Sequence, residues 1–347
     1  MNAPHATIKR RDSSLDLFKT ILICLMIWAH TIQLLDNINL SAAELFLSRL
    51  ANLICFSGFV MAFGMGFAHS LNNTRSKNET ALQVWKQPLT LYLAYLVCGV
   101  TYLTLVDNRP LSWGWGRWMV PMTILYAYTE FLATFVFFSL LTKPLRSLFT
   151  KVVIAPVFLF LSTFVALYLS FFPPSSPLVP ILPVLIGYHK GAVFPLVYYM
   201  PWFLLGFWYV RLKLTPNVAV AVACFMASLP CAFFLYVEGE LPRRDPPQAI
   251  WLMAAAFPLY LLFLLTSWAA KSDKMPAFML APGRQPLFFY VASSLVLFFL
   301  TYLFGQQNHA FLTNTLIAIA LLSGLYGLTV AVEKLKRKAI RLTGPTY

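Results

Sequence analysis

The stretch SLDLFKTILICLMIWAH, from Ser14 to His30, carries three ionisable side chains in a segment otherwise apolar enough to cross a membrane. These side chains belong to Asp16, Lys19 and His30. An α-helix turns by about 100° per residue, so Lys19 and His30 point within about 20° of each other, and Asp16 within about 40° of His30. Because ionisable groups are costly against lipid, this stripe is predicted to line a water-accessible tunnel, with Lys19 near its inner end and His30 past its middle.

The composition of the whole chain is that of an integral membrane protein. Of its 347 residues, 59% are hydrophobic and only 11% are charged, whereas soluble domains carry about 25% charged residues. The predicted fold class is an all-α, polytopic membrane bundle of about ten transmembrane helices, each of roughly 20 apolar residues. The ten segments lie near 15–35, 48–68, 84–106, 119–141, 152–172, 193–210, 216–237, 249–269, 285–305 and 311–332.

The distribution of lysine and arginine sets the orientation expected for this bundle. With the N-terminus in the cytoplasm, nineteen of the 26 lysines and arginines fall on the inner side, six fall on the outer side, and Lys19 lies within the first span. This asymmetry follows the positive-inside rule and predicts ten spans with both termini cytoplasmic. Topology and attraction to anionic inner-leaflet lipid thereby explain the net charge of +14, so no nucleic-acid partner is expected.

The chain is expected to form a single membrane-embedded domain over residues 1–347, with a cytoplasmic arm at 1–14 and a basic cytoplasmic tail at 333–347. The first span is expected to remain as an anchor, because no small-residue cleavage site of a signal peptide follows it before Asp36. No metal is expected, since none of the five histidines has a second ligand at the short spacing of a metal site.

The first span resembles the first-helix signature of the acyltransferase-3 family of polytopic membrane acyltransferases. In that signature an acid precedes a basic residue, and a histidine follows the basic residue after ten intervening positions, as Asp16, Lys19 and His30 do here. The family commonly has arginine where this chain has Lys19, so the bidentate hydrogen-bonding fork of arginine is missing. The heparan-glucosaminide N-acetyltransferase-like proteins have a similar start but commonly lack the histidine, so His30 favours the first family.

Other segments extend the resemblance over most of the chain. ICFSGFVMAFGMG (54–66) and LYAYTEFLATFVFF (125–138) are similar to the family's second and fourth helices. MPWFLLGFWYVR (200–211) and APGRQPLFFYVASS (281–294) resemble its later segments more loosely. The family often has a histidine three residues after the tyrosine of the last segment, whereas this chain has Ser293 there.

The resemblance implies a membrane O-acyltransferase of the bacterial cytoplasmic (inner) membrane. Its co-substrate would be a cytoplasmic acyl-CoA, acetyl-CoA in the first instance, and its acceptor a hydroxyl of an extracytoplasmic glycan or glycolipid. His30 is expected to act as the general base that takes the hydroxyl proton, and Glu130, halfway along the fourth span, is expected to orient it. Glu130 is equally compatible with a neutral, hydrogen-bonded carboxyl of the bundle core.

Cations at the inner face are the candidates for holding the phosphates of acyl-CoA. They are Lys19, with Asp16 as its brace, and also Arg10, Arg11 and Arg284. For Lys19 and Asp16 the alternative is an ordinary pair of charges at a helix end, with the lysine reaching back to the membrane surface.

Tryptophans of the outer loop DNRPLSWGWGRW (107–118) are the candidates for acceptor binding. Trp113, Trp115 and Trp118 would offer flat surfaces on which a sugar ring can stack. The alternative is an interfacial aromatic belt, in which tryptophans lie at the level of the lipid headgroups.

A transporter or flippase for a glycolipid or small solute is the main alternative function, because ten spans with polar residues at mid-membrane also suit that class. Against it, the two halves of the chain show no matching pair of interrupted helices. A structural or regulatory subunit would leave the polar stripe of the first span unexplained. The acyl group, the acceptor and the oligomeric state stay open at this point.

Overall fold

The computed structural model describes residues 12–36, 41–71, 81–109, 128–142, 144, 154–171, 185, 194–242, 244, 247–271, 275–307 and 311–343. In these ranges the regular structure is helical and no strand is present, which confirms the all-α class. The helices are α1 (Ser13–Leu35), α2 (Ala42–Leu71), α3 (Ala81–Leu105), α4 (Glu130–Thr142), α5 (Ile154–Phe171), α6 (Leu196–Arg211), α7 (Val218–Glu238), α8 (Ala249–Ala254), α9 (Ala256–Ala269), α10 (Ala277–Arg284), α11 (Pro286–Phe304) and α12 (Phe311–Thr343).

Within the described residues, seven helical segments are long and apolar enough to cross a membrane, so the protein is a multi-pass membrane protein. They are Ser13–Leu35, Ala42–Leu71, Trp85–Leu105, Val218–Glu238, Ala249–Ala269, Pro286–Phe304 and Phe311–Leu335. The predicted segments near 119–141, 152–172 and 193–210 contain the shorter α4, α5 and α6. Ten spans and cytoplasmic termini therefore remain predictions. Most of the tail predicted at 333–347 is a continuation of α12.

Both ends of α1 are held by specific polar contacts. At its start, Asp12 Oδ1 accepts hydrogen bonds from the N–H groups of Ser14 (2.9 Å) and Leu15 (3.3 Å), which is a typical N-cap. Beyond its last turn, Asp36 Oδ2 accepts a hydrogen bond of 2.7 Å from Asn314 Nδ2 of α12, and both side chains are buried. The first contact caps the start of α1, and the second joins its other end to α12.

The position of α1 is central, since it packs against α2, α9, α10, α11 and α12. Its Phe18 and Ile27 side chains are fully buried. Asp16 and His30 are only 2% and 5% exposed, so the polar stripe of the first span faces protein and not lipid. This placement is what an ionisable group within a membrane helix requires.

Helices α2 and α6 pack against each other through two glycines. A Cβ atom at Gly64 would lie 2.0 Å from the carbonyl oxygen of Phe203, and one at Gly206 would lie 2.0 Å from that of Met61. Small residues at membrane helix interfaces let the backbones approach closely, which increases van der Waals contact where no hydrophobic driving force exists. The reciprocal glycines bring the backbones of α2 and α6 into direct contact, and α2 in turn packs against α1.

Large apolar side chains cover the outer surface of the described bundle. Examples are Phe160 of α5 (71% exposed), Phe233 of α7 (70%) and Leu312 of α12 (66%). An apolar surface of this extent is unfavourable in water but matches the hydrocarbon of a bilayer. The burial pattern thus agrees with the hydropathy of the sequence.

Candidate functional site

A cavity of about 230 Å³ lies against the second half of α1, and we call it the upper cavity. Its walls come from α1, α2, α4 and α11, with further residues just before α4 and α6 and in the turn between α7 and α8. The lining residues are His30, Gln33, Asn52, Phe56, Tyr128, Glu130, Phe131, Phe194, Arg244 and Tyr290. His30 and Glu130, each 5% exposed, open into this same cavity although they lie on different helices.

Two tyrosine rings hold the imidazole of His30. The ring centroid of Tyr128 lies 5.1 Å from that of His30, and the centroid of Tyr290 lies 6.2 Å away, both in edge-to-face arrangements. The hydroxyl of Tyr290 in turn donates a hydrogen bond to the carbonyl oxygen of Tyr128. None of the described residues forms a hydrogen bond with the imidazole, so its nitrogens are available to a molecule in the upper cavity.

Glu130 is the first residue of α4, where a carboxylate interacts favourably with the helix dipole. It shares the upper cavity with His30, but no hydrogen bond joins the two side chains. The contact that the sequence led us to expect is therefore not formed in this structure. Catalytic hydrogen bonds commonly tighten only when substrate binds, so the shared cavity keeps Glu130 a candidate.

A larger cavity, of about 710 Å³, lies beside the first half of α1, and we call it the lower cavity. Lys19 and Lys86 bring two positive charges to it, and phenylalanine rings form much of the remaining wall. Its lining residues are Lys19, Ile23, Met26, Phe59, Ala62, Phe63, Gly66, Phe67, Ser70, Lys86, Gln87, Thr90, Leu91, Phe131, Leu132, Phe135, Thr142, Pro286, Leu287 and Tyr290.

Phe131 of α4 and Tyr290 of α11 line both cavities. Their ring centroids are 5.8 Å apart, so the two rings are in contact. The single tunnel expected from the sequence is therefore two cavities that share a wall, and we call these two rings the shared wall. Lys19 opens into one cavity and His30 into the other.

Asp16 forms one ion pair within α1, with Lys19, and a second that joins α1 to α10, with Arg284. Its Oδ1 lies 3.1 Å from Lys19 Nζ, which is the bracing contact expected from the sequence, and its Oδ2 lies 3.5 Å from Arg284 Nε. The backbones are close here, since the N–H of Gly283 donates to Thr20 Oγ1 at 2.9 Å. Neither Asp16 nor Arg284 lines the lower cavity; their ion pairs hold Lys19 and α10, and the expected part of Arg284 in binding acyl-CoA stays a prediction.

Two cations that the sequence did not single out line the cavities. Arg244 lies between α7 and α8, and its Cζ atom lies 5.8 Å and 5.7 Å from the ring centroids of Phe56 and Phe194. Lys86 lies in the second turn of α3. From the sequence, Arg244 and Lys86 contributed only to the unequal distribution of lysine and arginine between the two sides of the membrane. The adjacent arginines 243–244, in a chain with few outer charges, were the available signal for the first of them.

Several expected site residues lie outside the described residues. They are Arg10, Arg11, Trp113, Trp115 and Trp118. Within the described part of the chain, no three or more His, Cys, Asp or Glu side chains are grouped so that they could hold a metal ion. The roles of the five residues named here stay predictions.

Comparison with known proteins does not assign the chain to a family. No family model matches the chain, no curated protein matches it, and no solved structure matches it. The resemblance to the acyltransferase-3 family rests on the sequence motifs alone. What the structure itself defines is a multi-pass helical membrane protein with two adjoining cavities, one with a buried histidine and one with two lysines.

Proposed function

We propose that the protein is an acyl-CoA-dependent O-acyltransferase of the bacterial cytoplasmic membrane. It transfers an acyl group, acetyl in the first instance, from cytoplasmic acyl-CoA to a hydroxyl of an extracytoplasmic glycan or glycolipid. The observation that carries the proposal is the shared wall of Phe131 and Tyr290, across which a cavity with a base meets a cavity with two cations. With the predicted orientation, the lower cavity opens toward the cytoplasm and the upper cavity toward the outside.

The lower cavity suits the donor in volume and in charge. Its 710 Å³ falls within the range of about 300–1,000 Å³ that is typical of small-molecule sites. Lys19 and Lys86 would attract the phosphates of acyl-CoA, and the walls of Phe63, Phe67 and Phe135 would cover the apolar part of the pantetheine arm. The arm would then direct the thioester toward the shared wall.

The upper cavity supplies the base for the transfer. The imidazole of His30 takes the proton of the acceptor hydroxyl as its oxygen attacks the thioester carbonyl carbon. A carbon–oxygen bond forms, the carbon–sulfur bond breaks, and the proton passes from the imidazolium to the leaving sulfur of coenzyme A. Glu130, in the same cavity, stabilises the positive charge that His30 carries between these steps.

The shared wall must admit the thioester to His30. Tyr290 is in edge contact with the His30 ring and also lines the lower cavity, so the acyl group needs to pass only this layer of side chains. Side chains change rotamer far faster than helices move, so the rings of Phe131 and Tyr290 can separate while the bundle stays intact.

The test is an acyl-transfer assay with purified protein in lipid nanodiscs, labelled acetyl-CoA and bulk surface glycan. We expect coenzyme A release that depends on acceptor, and a loss of about 10²- to 10⁴-fold in kcat for His30→Ala. His69→Ala is the matched control, because His69 lies on α2 and lines neither cavity.

Two results would overturn the proposal. One is full acyl transfer by the His30→Ala protein when that protein is present in the membrane at the normal level. The other is solute movement across the membrane with no consumption of thioester, which would favour a transporter instead.

A further inference from the structure

The upper cavity contains an arginine for which the acyl-transfer chemistry supplies no role. Arg244 is partly exposed and lies over the rings of Phe56 and Phe194 at one side of the cavity. No carboxylate of the described residues lies within ion-pair distance of its guanidinium group. An arginine that lines a small cavity beside aromatic rings, with no described carboxylate as its partner, is suited to bind an anionic ligand.

We propose that Arg244 is the anion-binding residue of an acceptor subsite, and that the acceptor carries a carboxylate or phosphate next to the hydroxyl that is acylated. This inference rests on the proposed function, since it names the chemical class of the outer substrate. It concerns binding alone and can be tested without acyl transfer.

The geometry of the guanidinium group favours an anion that presents two oxygens side by side, as a carboxylate or phosphate does. Its Cζ atom lies within cation–π distance of the rings of Phe56 and Phe194, a contact that does not use the hydrogen-bonding capacity of its N–H groups. Those N–H groups match the two oxygens of a carboxylate or phosphate, with which arginine forms paired hydrogen bonds.

The anion must belong to the outer substrate. The phosphates of acyl-CoA are assigned to the lower cavity beside Lys19 and Lys86, on the other side of the shared wall. Arg244 lies in the connection that follows α7, at the same end of the bundle as the Arg49–Glu240 ion pair of 3.6 Å, which the charge pattern places outside. An anionic acceptor that arrives from that side meets Arg244 at the cavity.

Uncharged polar groups in the same cavity suit the rest of such an acceptor. Asn52 is 2% exposed, and its side-chain amide forms no hydrogen bond with any described residue. Gln33 donates from Nε2 to Ser48 Oγ at 2.9 Å, which leaves its carbonyl oxygen for another donor. The volume of 230 Å³ is below the range of drug-sized sites, so it suits one sugar ring and not a length of polymer.

The charges of Glu130 and Arg244 would orient the sugar ring of the acceptor in the upper cavity. Glu130 repels the anionic substituent, so the substituent turns toward Arg244 and a neighbouring hydroxyl turns toward His30. Stabilisation of the oxyanion formed during transfer is a different role for Arg244. That role requires a site from which water is excluded, whereas Arg244 is partly exposed.

The experiment measures equilibrium binding of single-ring ligands to the full-length protein in nanodiscs without acyl-CoA. The probes are methyl glucuronide and glucose 6-phosphate, with methyl glucoside as the uncharged match, and further anionic hexoses complete the panel. We expect at least one anionic ring to bind about tenfold or more tightly than its neutral match. Arg244→Gln should weaken that binding by about 10- to 100-fold, and Arg244→Lys should weaken it less.

Arg49→Gln is the control, because it removes a cation from the same end of the bundle without touching the upper cavity. The inference is overturned if no anionic ring is preferred, or if Arg49→Gln loses as much affinity as Arg244→Gln. It is also overturned if Arg244→Gln lowers kcat equally for charged and neutral acceptors, which would assign Arg244 to the oxyanion. If anionic rings bind more tightly than neutral ones but no acyl transfer occurs, the proposed function is refuted, whereas the assignment of Arg244 to anion binding still holds.

Discussion

Gly283→Ala is the substitution whose effect the structure defines most sharply. A Cβ atom at this position would lie 1.7 Å from the carbonyl oxygen of Asp16 and 2.9 Å from Thr20 Oγ1. The nearest of these is a backbone atom, so relief requires α10 to move away from α1. That movement also lengthens the hydrogen bond from the Gly283 N–H to Thr20 and separates Arg284 from Asp16.

The expected cost combines three effects. Overpacking costs about 1–3 kcal/mol, and the lost hydrogen bond costs about 0.5–1.5 kcal/mol. Replacing glycine by alanine within a helix stabilises the folded state by about 0.5–1 kcal/mol, because alanine loses less conformational entropy on folding. We therefore expect a net loss of about 2 kcal/mol in the free energy of unfolding. We also expect a higher KM for acyl-CoA with little change in kcat, because α10 leads directly into Pro286 and Leu287 of α11, which line the lower cavity.

The assay is thermal unfolding in detergent together with acyl-CoA kinetics. Gly324→Ala on α12 is the matched control, because a Cβ atom there has no neighbour within 4 Å, and it should leave both quantities unchanged or raise stability slightly. A Gly283→Ala protein as stable as the parent, with an unchanged KM, would refute the packing of α10 on α1.

Three further predictions follow from the cavity walls and the helix packing. Phe131→Ala removes half of the shared wall and so makes room for a longer acyl chain. The preference for acetyl-CoA over hexanoyl-CoA, measured as the ratio of kcat/KM values, should therefore fall about tenfold, and an unchanged ratio would show that Phe131 does not limit the acyl chain. Lys86→Gln should raise the KM for acyl-CoA about three- to tenfold and weaken its salt dependence, whereas Lys271→Gln, outside both cavities, should do neither. Gly206→Ala should lower the free energy of unfolding by about 1–3 kcal/mol, because its Cβ atom would lie 2.0 Å from the backbone of Met61; unchanged thermal unfolding would argue against the α2–α6 contact.

The features that the sequence predicted well are local or repetitive. The length and hydropathy of the apolar segments are enough to predict a helical membrane bundle. The Asp16–Lys19 pair is separated by three residues on one helix, so helical geometry alone brings the two side chains together. The burial of His30 follows from the same geometry, because a costly polar group in a span must turn toward protein.

The features that the sequence did not predict depend on contacts between distant parts of the chain. Arg244 contacts the rings of Phe56 and Phe194 at the upper cavity. The positions of these two rings depend on how α2 packs with the residues before α6. The shared wall joins Phe131 to Tyr290, two residues far apart in the chain that packing brings into contact. Helical periodicity places residues on a face, but it does not show which faces meet.

Acyl transfer across the shared wall is tested most directly by an experimental structure with a non-reactive thioether analogue of acetyl-CoA. We expect the phosphates beside Lys19 and Lys86 and the acyl carbonyl at the shared wall, about 3–4 Å from where an acceptor hydroxyl bound to His30 would lie. An analogue bound outside the lower cavity, or one whose acyl end points away from Phe131 and Tyr290, would contradict this expectation.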